Sequence, residues 1–182
     1  MRAELKKYIK RIYFEKDQNF IMEKSNSFPG YIDGLTQMLE GLCDSMSDPR
    51  VYEEDNDFGI PLICRFESYI NSNFHVRYDT SIDISKIANV FTLLHQFRVK
   101  HVNPNKMEPS LYGFGEAPYT IKQKHLEDEL IKYLEANGLY RINMEEANEV
   151  VEGIGMPENN LFGTQMTVGT ALFHDVWELA LE

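Results

Sequence analysis

Apolar residues recur at helical spacing along most of this chain, and this repeat limits the folds open to it more than any other feature. In residues 84–97 five apolar side chains share one face of a helix: Ile84, Ile87, Val90, Phe91 and Leu94. Asp83 stands where the N-cap of that helix belongs. The same spacing predicts further helices, over residues 3–13, 31–42, 119–136, 144–153 and 167–181.

Three segments depart from the helical repeat. Residues 60–70 form an apolar run without a clear period, and NFHVRYDTS (73–81) alternates apolar and polar residues as a strand does. Residues 102–118 contain three prolines and two glycines, which predicts a long loop. We therefore expect a mainly α protein, a single globular domain over residues 1–182. It would be a helical bundle of about six helices with a small strand component around residues 60–80.

Composition and hydropathy predict a soluble, cytoplasmic protein. The chain has 182 residues with 43% hydrophobic and 26% charged side chains, which is ordinary for one globular domain. Its apolar runs are shorter than the ~18 residues that a membrane span requires, so no membrane partner is expected. A basic amphipathic helix over residues 3–13 leaves contact with a membrane or a regulatory partner as an alternative.

The charge of the chain indicates the kind of partner to expect. There are 18 basic and 29 acidic residues, for a net charge of −11. Phosphate contacts are made by lysine and arginine, so the acidic excess argues against nucleic acid. It favours a basic protein partner, which complementary charge would attract.

The most acidic stretch is VYEEDNDFGIPL, residues 51–62. An EF-hand calcium loop needs glycine at its sixth position and glutamate at its twelfth, and neither possible register provides both. A solvated turn and a partner-binding surface remain as interpretations. A second acidic face would lie on the predicted helix over residues 144–153. The expected partner-binding residues are Tyr52, Glu53, Glu54, Asp55, Asp57 and Phe58 in the first surface, and Glu145, Glu146, Glu149 and Glu152 in the second.

Catalytic and cofactor motifs are not evident in the sequence. It contains no GxSxG elbow, no GxxxxGK[ST] loop and no GxGxxG. The two cysteines, Cys43 and Cys64, have apolar neighbours and are expected to be buried thiols, although a disulfide between them stays open. We therefore predict no catalytic residues, no cofactor and no metal.

Two His-x-x-x-Glu pairs provide the alternative of a small helical metalloprotein or metal-dependent hydrolase. Both pairs are expected to point away from the apolar stripes of their helices, which weakens this alternative. They are His125 with Glu129, and His174 with Glu178.

Taken together, these features predict a non-catalytic acidic inhibitor that binds a basic protein one-to-one. Bacterial immunity proteins that neutralise cationic nuclease-type toxins have this character. In such a complex, carboxylates would occupy the basic surface that otherwise holds the phosphates of the nucleic acid.

Overall fold

An antiparallel sheet, and not a helical bundle, forms the centre of the fold. The computed structural model describes residues 1–52, 57–69, 73–103, 105, 111–158 and 161–180. Within these residues six strands form one sheet and two more form a separate ladder. The prediction of a mainly α protein is therefore wrong, and the fold is mixed α/β. The strands are β1 (Ser45–Met46), β2 (Gly59–Tyr69), β3 (Phe74–Ser85), β4 (Val90–His101), β5 (Leu111–Gly115), β6 (Tyr140–Arg141), β7 (Val150–Gly155) and β8 (Gln165–Thr167).

The sheet follows chain order for most of its width. β1 to β5 are neighbours in sequence order and antiparallel, while β6 pairs in parallel with the start of β4. β7 and β8 pair only with each other in the described residues. The strand component expected around residues 60–80 is present, and it is larger than expected because it continues through β4 and β5.

The described helices are shorter than the sequence predicts, but several lie at the expected places. They are α1 (Ala3–Ile9), which continues as a π-helix over Lys10–Phe14, α2 (Gln18–Ser25), α3 (Ile32–Glu40), α4 (Ile121–Ala136), α5 (Met144–Ala147) and α6 (Val168–Phe173). Short 3-10 turns cover Pro49–Tyr52 and Trp177–Leu179. The helices predicted over residues 3–13, 31–42 and 119–136 are confirmed. Among the described helices, none combines the length and the apolar content that crossing a bilayer requires.

The segment that looks most helical in sequence is a β-hairpin. β3 ends at Ser85, β4 begins at Val90, and Ile84 pairs with Phe91 across the hairpin. The tip residues Ile87 and Ala88 are buried, whereas the tip of most hairpins is polar and exposed. Because the tip residues are apolar and buried, the apolar residues of this hairpin have the same spacing as those of a helix.

Two other predicted elements are also corrected. The helix expected over residues 144–153 is one turn, α5, followed by β7, and the last helix is split between α6 and the turn Trp177–Leu179. Part of the long loop predicted at 102–118 is strand β5. Residues 104 and 106–110 lie outside the described residues.

One face of the sheet is covered by α3 and α4. Alternate strand residues point to this face, as in any strand with one buried side. They form a core with the helical leucines, composed of Ile32, Leu35, Leu39, Ile60, Leu62, Cys64, Phe66, Ile82, Ile84, Phe91, Leu93, Leu126, Leu130, Leu134 and Leu139. We call this cluster the sheet core.

A second core joins the beginning and the end of the described chain. It contains apolar residues of α1, α2 and α6, together with residues of β7 and β8 and the buried hairpin tip. Phe58 and Val90 belong to it and are fully buried. We call this cluster the terminal core.

The described residues cover the other face of the sheet only in part. α6 crosses it at the hairpin end, where the Ser85 hydroxyl donates a hydrogen bond to the Leu172 carbonyl at 2.6 Å. Gly59 provides the space for this crossing, because a Cβ there would lie 2.7 Å from the Phe173 carbonyl oxygen. Further from the hairpin tip, Arg98, Tyr112 and Phe114 on this face are exposed. We call this part, formed by Arg65, Glu67, Arg77, Asp79, Gln96, Arg98, Lys100, Tyr112 and Phe114, the open face.

Candidate functional site

The first predicted acidic surface is only partly on the outside of the fold. Glu53, Glu54 and Asp55 lie outside the described residues, as does the side chain of Tyr52, whose backbone ends a 3-10 turn. Asp57 is half-buried and Phe58 is fully buried in the terminal core. Phe58 is therefore a packing residue and does not contribute to a partner-binding surface.

The second predicted acidic face is not a helix face. Glu145 and Glu146 lie on α5, and Glu149 and Glu152 follow in the turn and in β7. Glu146 accepts a hydrogen bond from Arg2 Nε at 2.6 Å, and Glu149 pairs with the amino group of Met1. Two of the four carboxylates thus hold α1 against the rest of the fold, while Glu145 and Glu152 are exposed.

The histidine–glutamate pairs do not form a metal centre. His125 is exposed on α4, and His174 follows the last residue of α6. Among the described residues, no group of three or more histidine, cysteine, aspartate or glutamate side chains is arranged to hold a metal ion.

His174 instead meets Asp57, which the sequence places in a different predicted site. His174 Nδ1 lies 3.6 Å from Asp57 Oδ2, and Asp57 Oδ1 accepts a hydrogen bond from the Asp175 N–H at 2.7 Å. Burial raises the pKa of Asp57, but hydrogen bonds from His174 and from backbone N–H groups outweigh it and leave the pKa below its ordinary value. This contact ties the segment before β2 to the end of α6.

A small cavity with a mainly apolar lining and a few titratable side chains adjoins this contact. It has a volume of about 190 Å³ and is lined by His174, Asp83 and Thr92 among others. Burial raises the pKa of the Asp83 carboxyl, and the charge of His174 acts in the opposite direction. The cavity thus places a carboxyl group and an imidazole together, groups that bind or transfer protons. Because residues 83 and 174 are far apart in sequence, their spacing predicted no such association.

The two cysteines lie close together at the edge of the sheet. Cys64 is in β2 and fully buried, whereas Cys43 is half-buried just before β1. A hydrogen bond from Cys64 lowers the pKa of Cys43 to about 7. The expectation of two buried thiols is therefore met only by Cys64.

Another cavity lies between α1 and β7. It has a volume of about 460 Å³ and an apolar lining that includes Ile9, Phe14 and Val151. Lysines and glutamates also line it: Lys6 and Lys10 from the helical side, and Glu149 and Glu152 from the segment entering β7. Because positively and negatively charged side chains both line the cavity, its electrostatics favour the binding of neither a cation nor an anion.

A group of exposed carboxylates lies on α3 and around β1, at the β1 edge of the sheet. Four carboxylates on α3 and around β1 are exposed, and we call them the acidic edge: Asp33, Glu40, Asp44 and Asp48. The sequence already contains the signal, since residues 33–57 hold eight acidic residues against one basic residue, Arg50. Local motifs do not reveal it, because these four residues are spread over sixteen positions.

Some of these carboxylates also shape the sheet edge. Asp44 Oδ2 accepts a hydrogen bond from the Glu67 N–H at 2.8 Å, which satisfies a donor on the outer side of β2. Arg50 pairs with Asp33, and Lys122 Nζ lies 3.6 Å from Asp44. Four carboxylates with two nearby cations leave a net negative surface that continues in sequence toward Glu53.

No protein-family model, curated protein sequence or solved structure matches this chain.

Proposed function

We propose that the protein is a non-catalytic inhibitor that binds a basic protein one-to-one in the cytoplasm. In this proposal it acts as a bacterial immunity protein does on a cationic nuclease-type toxin. The observation that carries the proposal is the acidic edge, whose four carboxylates on α3 and around β1 are all exposed.

The physical basis is substitution of phosphate by carboxylate. A nuclease holds nucleic acid through lysine and arginine side chains, and a group of exposed carboxylates offers these cations the same sign of charge as phosphate. Asp33 and Glu40 are seven positions apart on α3, which separates them by about 10 Å along the helix axis. Complementary charge of this kind speeds encounter with the correct partner and disfavours acidic proteins.

The placement of the aromatic residues affects the expected strength of binding. Phe58, one of the expected anchors, is in the terminal core. Buried aromatic anchors usually provide most of the binding free energy of an interface. Without Phe58, binding at the acidic edge would depend more on charge, so we expect the complex to be strongly salt-sensitive.

The experiment compares two variants with the same change in net charge. The test variant carries Asp33→Asn, Glu40→Gln, Asp44→Asn and Asp48→Asn, and its amides keep the hydrogen-bond acceptor at Asp44. The control carries four neutralised glutamates that are exposed elsewhere: Glu23→Gln, Glu135→Gln, Glu158→Gln and Glu178→Gln. Tagged proteins capture partners from lysate of the source cells, and association rates with the captured protein are then measured from about 20 mM to about 500 mM salt.

The expected result is a basic partner in a one-to-one complex, bound by the control and lost or slowed at least about tenfold by the test variant at low salt. Inhibition of nuclease activity in that partner would establish the immunity role. Equal binding by the two variants would remove the acidic edge from the interface, and no basic partner at low salt would contradict the proposal as a whole.

A further inference from the structure

The open face carries two rows of side chains fixed by strand register. In one row Arg65, Asp79, Gln96 and Phe114 are neighbours across β2, β3, β4 and β5. In the adjacent row the neighbours are Glu67, Arg77, Arg98 and Tyr112. Residues of one row point to the same side of the sheet, so these side chains form a continuous surface.

The open face is positively charged although the protein is acidic. Within the described residues Arg65, Arg98 and Lys100 have no carboxylate partner within ion-pair distance, while Arg77 is bonded to Asp79 Oδ2 at 2.9 Å. Counting all its charged residues, the open face has four cations and two carboxylates, for a net charge of +2. The net charge of the whole chain is −11. Such local charge complements an anionic ligand.

Asp79 provides a buried acceptor at the centre of this surface. Its residue exposure is 7%, and its Oδ1 atom accepts no hydrogen bond from the described residues. A buried polar atom of this kind costs free energy unless a donor reaches it. Asp79 lines a cavity of about 190 Å³ together with Gln96, Arg98, Tyr112 and Phe114. A ligand in this cavity that donates one hydrogen bond would satisfy Oδ1.

Two exposed aromatic side chains complete the surface. Tyr112 is 68% exposed and Phe114 is 62% exposed. They are two residues apart in β5, on the same side of the sheet and roughly 6.6 Å apart along the strand. Exposed rings beside cationic side chains on a sheet form a platform on which nucleobases stack.

We propose that the open face binds short single-stranded nucleic acid, with a base stacked on Tyr112 or Phe114 that donates an N–H to Asp79 Oδ1 and with phosphates held by Arg98 and Arg65. The cavity volume suits one base and not a longer segment. A cationic side chain of a protein partner fits less well, because it would meet Arg77 and Arg98. An acidic peptide would satisfy the arginines but makes no use of the stacking rings.

The acidic charge of the whole chain determines the length of ligand. A long polyanion places most of its phosphates beyond the open face, where the surrounding carboxylates repel them, whereas a short oligonucleotide places a larger share of its phosphates near the arginines. The overall charge predicts weak binding of long nucleic acid, and the open face predicts local binding of short single strands. The base-binding residues of this site lie on β3, β4 and β5, and the acidic edge borders the open face only at β2, where Asp44 accepts a hydrogen bond from the Glu67 N–H. The two proposals rest on different side chains and can fail independently.

The test is fluorescence anisotropy with labelled single-stranded RNA and DNA octamers of mixed sequence, in about 0.1 M salt. The test variants are Tyr112→Ala, Phe114→Ala and Arg98→Gln, and all three positions are exposed, so folding is preserved. The matched controls are Phe14→Ala and Lys132→Gln, an exposed ring and an exposed cation elsewhere. Asp79→Asn is measured beside them, with thermal unfolding followed for every variant.

The expected result is saturable one-to-one binding that each aromatic variant weakens about tenfold or more, with the controls unchanged. The acidic-edge variant should bind at least as tightly as the parent, because it removes negative charge beside Arg65. Asp79→Asn is expected to alter the preference among homopolymer octamers, because an amide offers the base a donor as well as an acceptor. Absence of saturable binding, or equal weakening by test and control variants, would overturn the proposal. So would saturable binding of a glutamate-rich peptide at the open face in place of the octamers.

Discussion

Replacement of Gly59 by alanine tests the crossing of α6 over the sheet. A Cβ at this position would lie 2.7 Å from the Phe173 carbonyl oxygen and 3.5 Å from the Phe173 Cβ. The end of α6 has little freedom to move away. Leu172 accepts the hydrogen bond from Ser85 at 2.6 Å, and the Tyr13 hydroxyl donates to the Ala171 carbonyl at 3.2 Å.

The expected loss of stability follows from these contacts. Insertion of a methyl group into a packed site costs about 1–3 kcal/mol. Displacement of the Leu172 carbonyl would weaken one buried hydrogen bond, for about 1 kcal/mol more. We therefore expect Gly59→Ala to lower the free energy of unfolding by about 2–4 kcal/mol. For a protein of this length that corresponds to a fall in Tm of about 5–15 °C.

The assay is urea unfolding followed by circular dichroism, with Gly30→Ala as the matched control. Gly30 is exposed, and a Cβ there would have nothing within 4 Å. The control is expected to change stability by less than about 1 kcal/mol, in the stabilising direction if at all. If Gly59→Ala and Gly30→Ala unfold at the same urea concentration, α6 does not lie against the start of β2.

Two further predictions concern buried charge and acid stability. Arg141→Met removes the 2.7 Å partner of the buried Glu127 carboxylate and leaves the exposed Lys124 at 3.1 Å and the His95 ring at 3.9 Å beside it, so we expect a loss of about 2–4 kcal/mol in urea unfolding. A double variant that adds Glu127→Gln should recover part of that loss, and no recovery would contradict the importance of this ion pair. Because the pKa of Asp57 is lowered in the folded state, its ionised carboxylate stabilises the fold. This stabilisation is complete above the unfolded pKa of about 3.9 and is lost as the pH falls through the folded pKa. Asp57→Asn should therefore be less stable than the parent near pH 5, with a difference that shrinks as the pH is lowered further; a difference independent of pH would count against the contact with His174.

Sequence periodicity was sufficient to predict the elements that have one buried face. α4 is an example, since Leu126, Leu130 and Leu134 recur at helical spacing and all pack on the sheet. The hairpin at residues 84–91 was predicted wrongly because both of its sides are buried near the tip. Ile84 belongs to the sheet core and Val90 to the terminal core, so the alternation typical of a strand is absent there.

The candidate sites could be predicted only where the signal is local. The acidic excess of residues 33–57 is visible in the sequence, and the four carboxylates of the acidic edge within that range are exposed. The burial of Phe58, the contact between Asp57 and His174, and the open face all depend on which strands are neighbours. Strand register, and not composition, brings Asp79, Arg98 and Phe114 together, and register is not encoded in any short stretch of this chain.

The division into two cores has a consequence for the order in which the molecule folds. The sheet core uses only residues between Ile32 and Leu139, whereas the terminal core needs α1 and α2 together with Ile142 and residues from Val151 to Val176. The hydrogen bond from Tyr13 to Ala171 spans 158 positions. During synthesis the apolar sides of α1 and α2 therefore stay unburied until nearly the whole described chain has been made. We expect amide protons of α1 and α2 to gain protection after those of β3 and β4, and the newly made chain to depend on a chaperone during that interval.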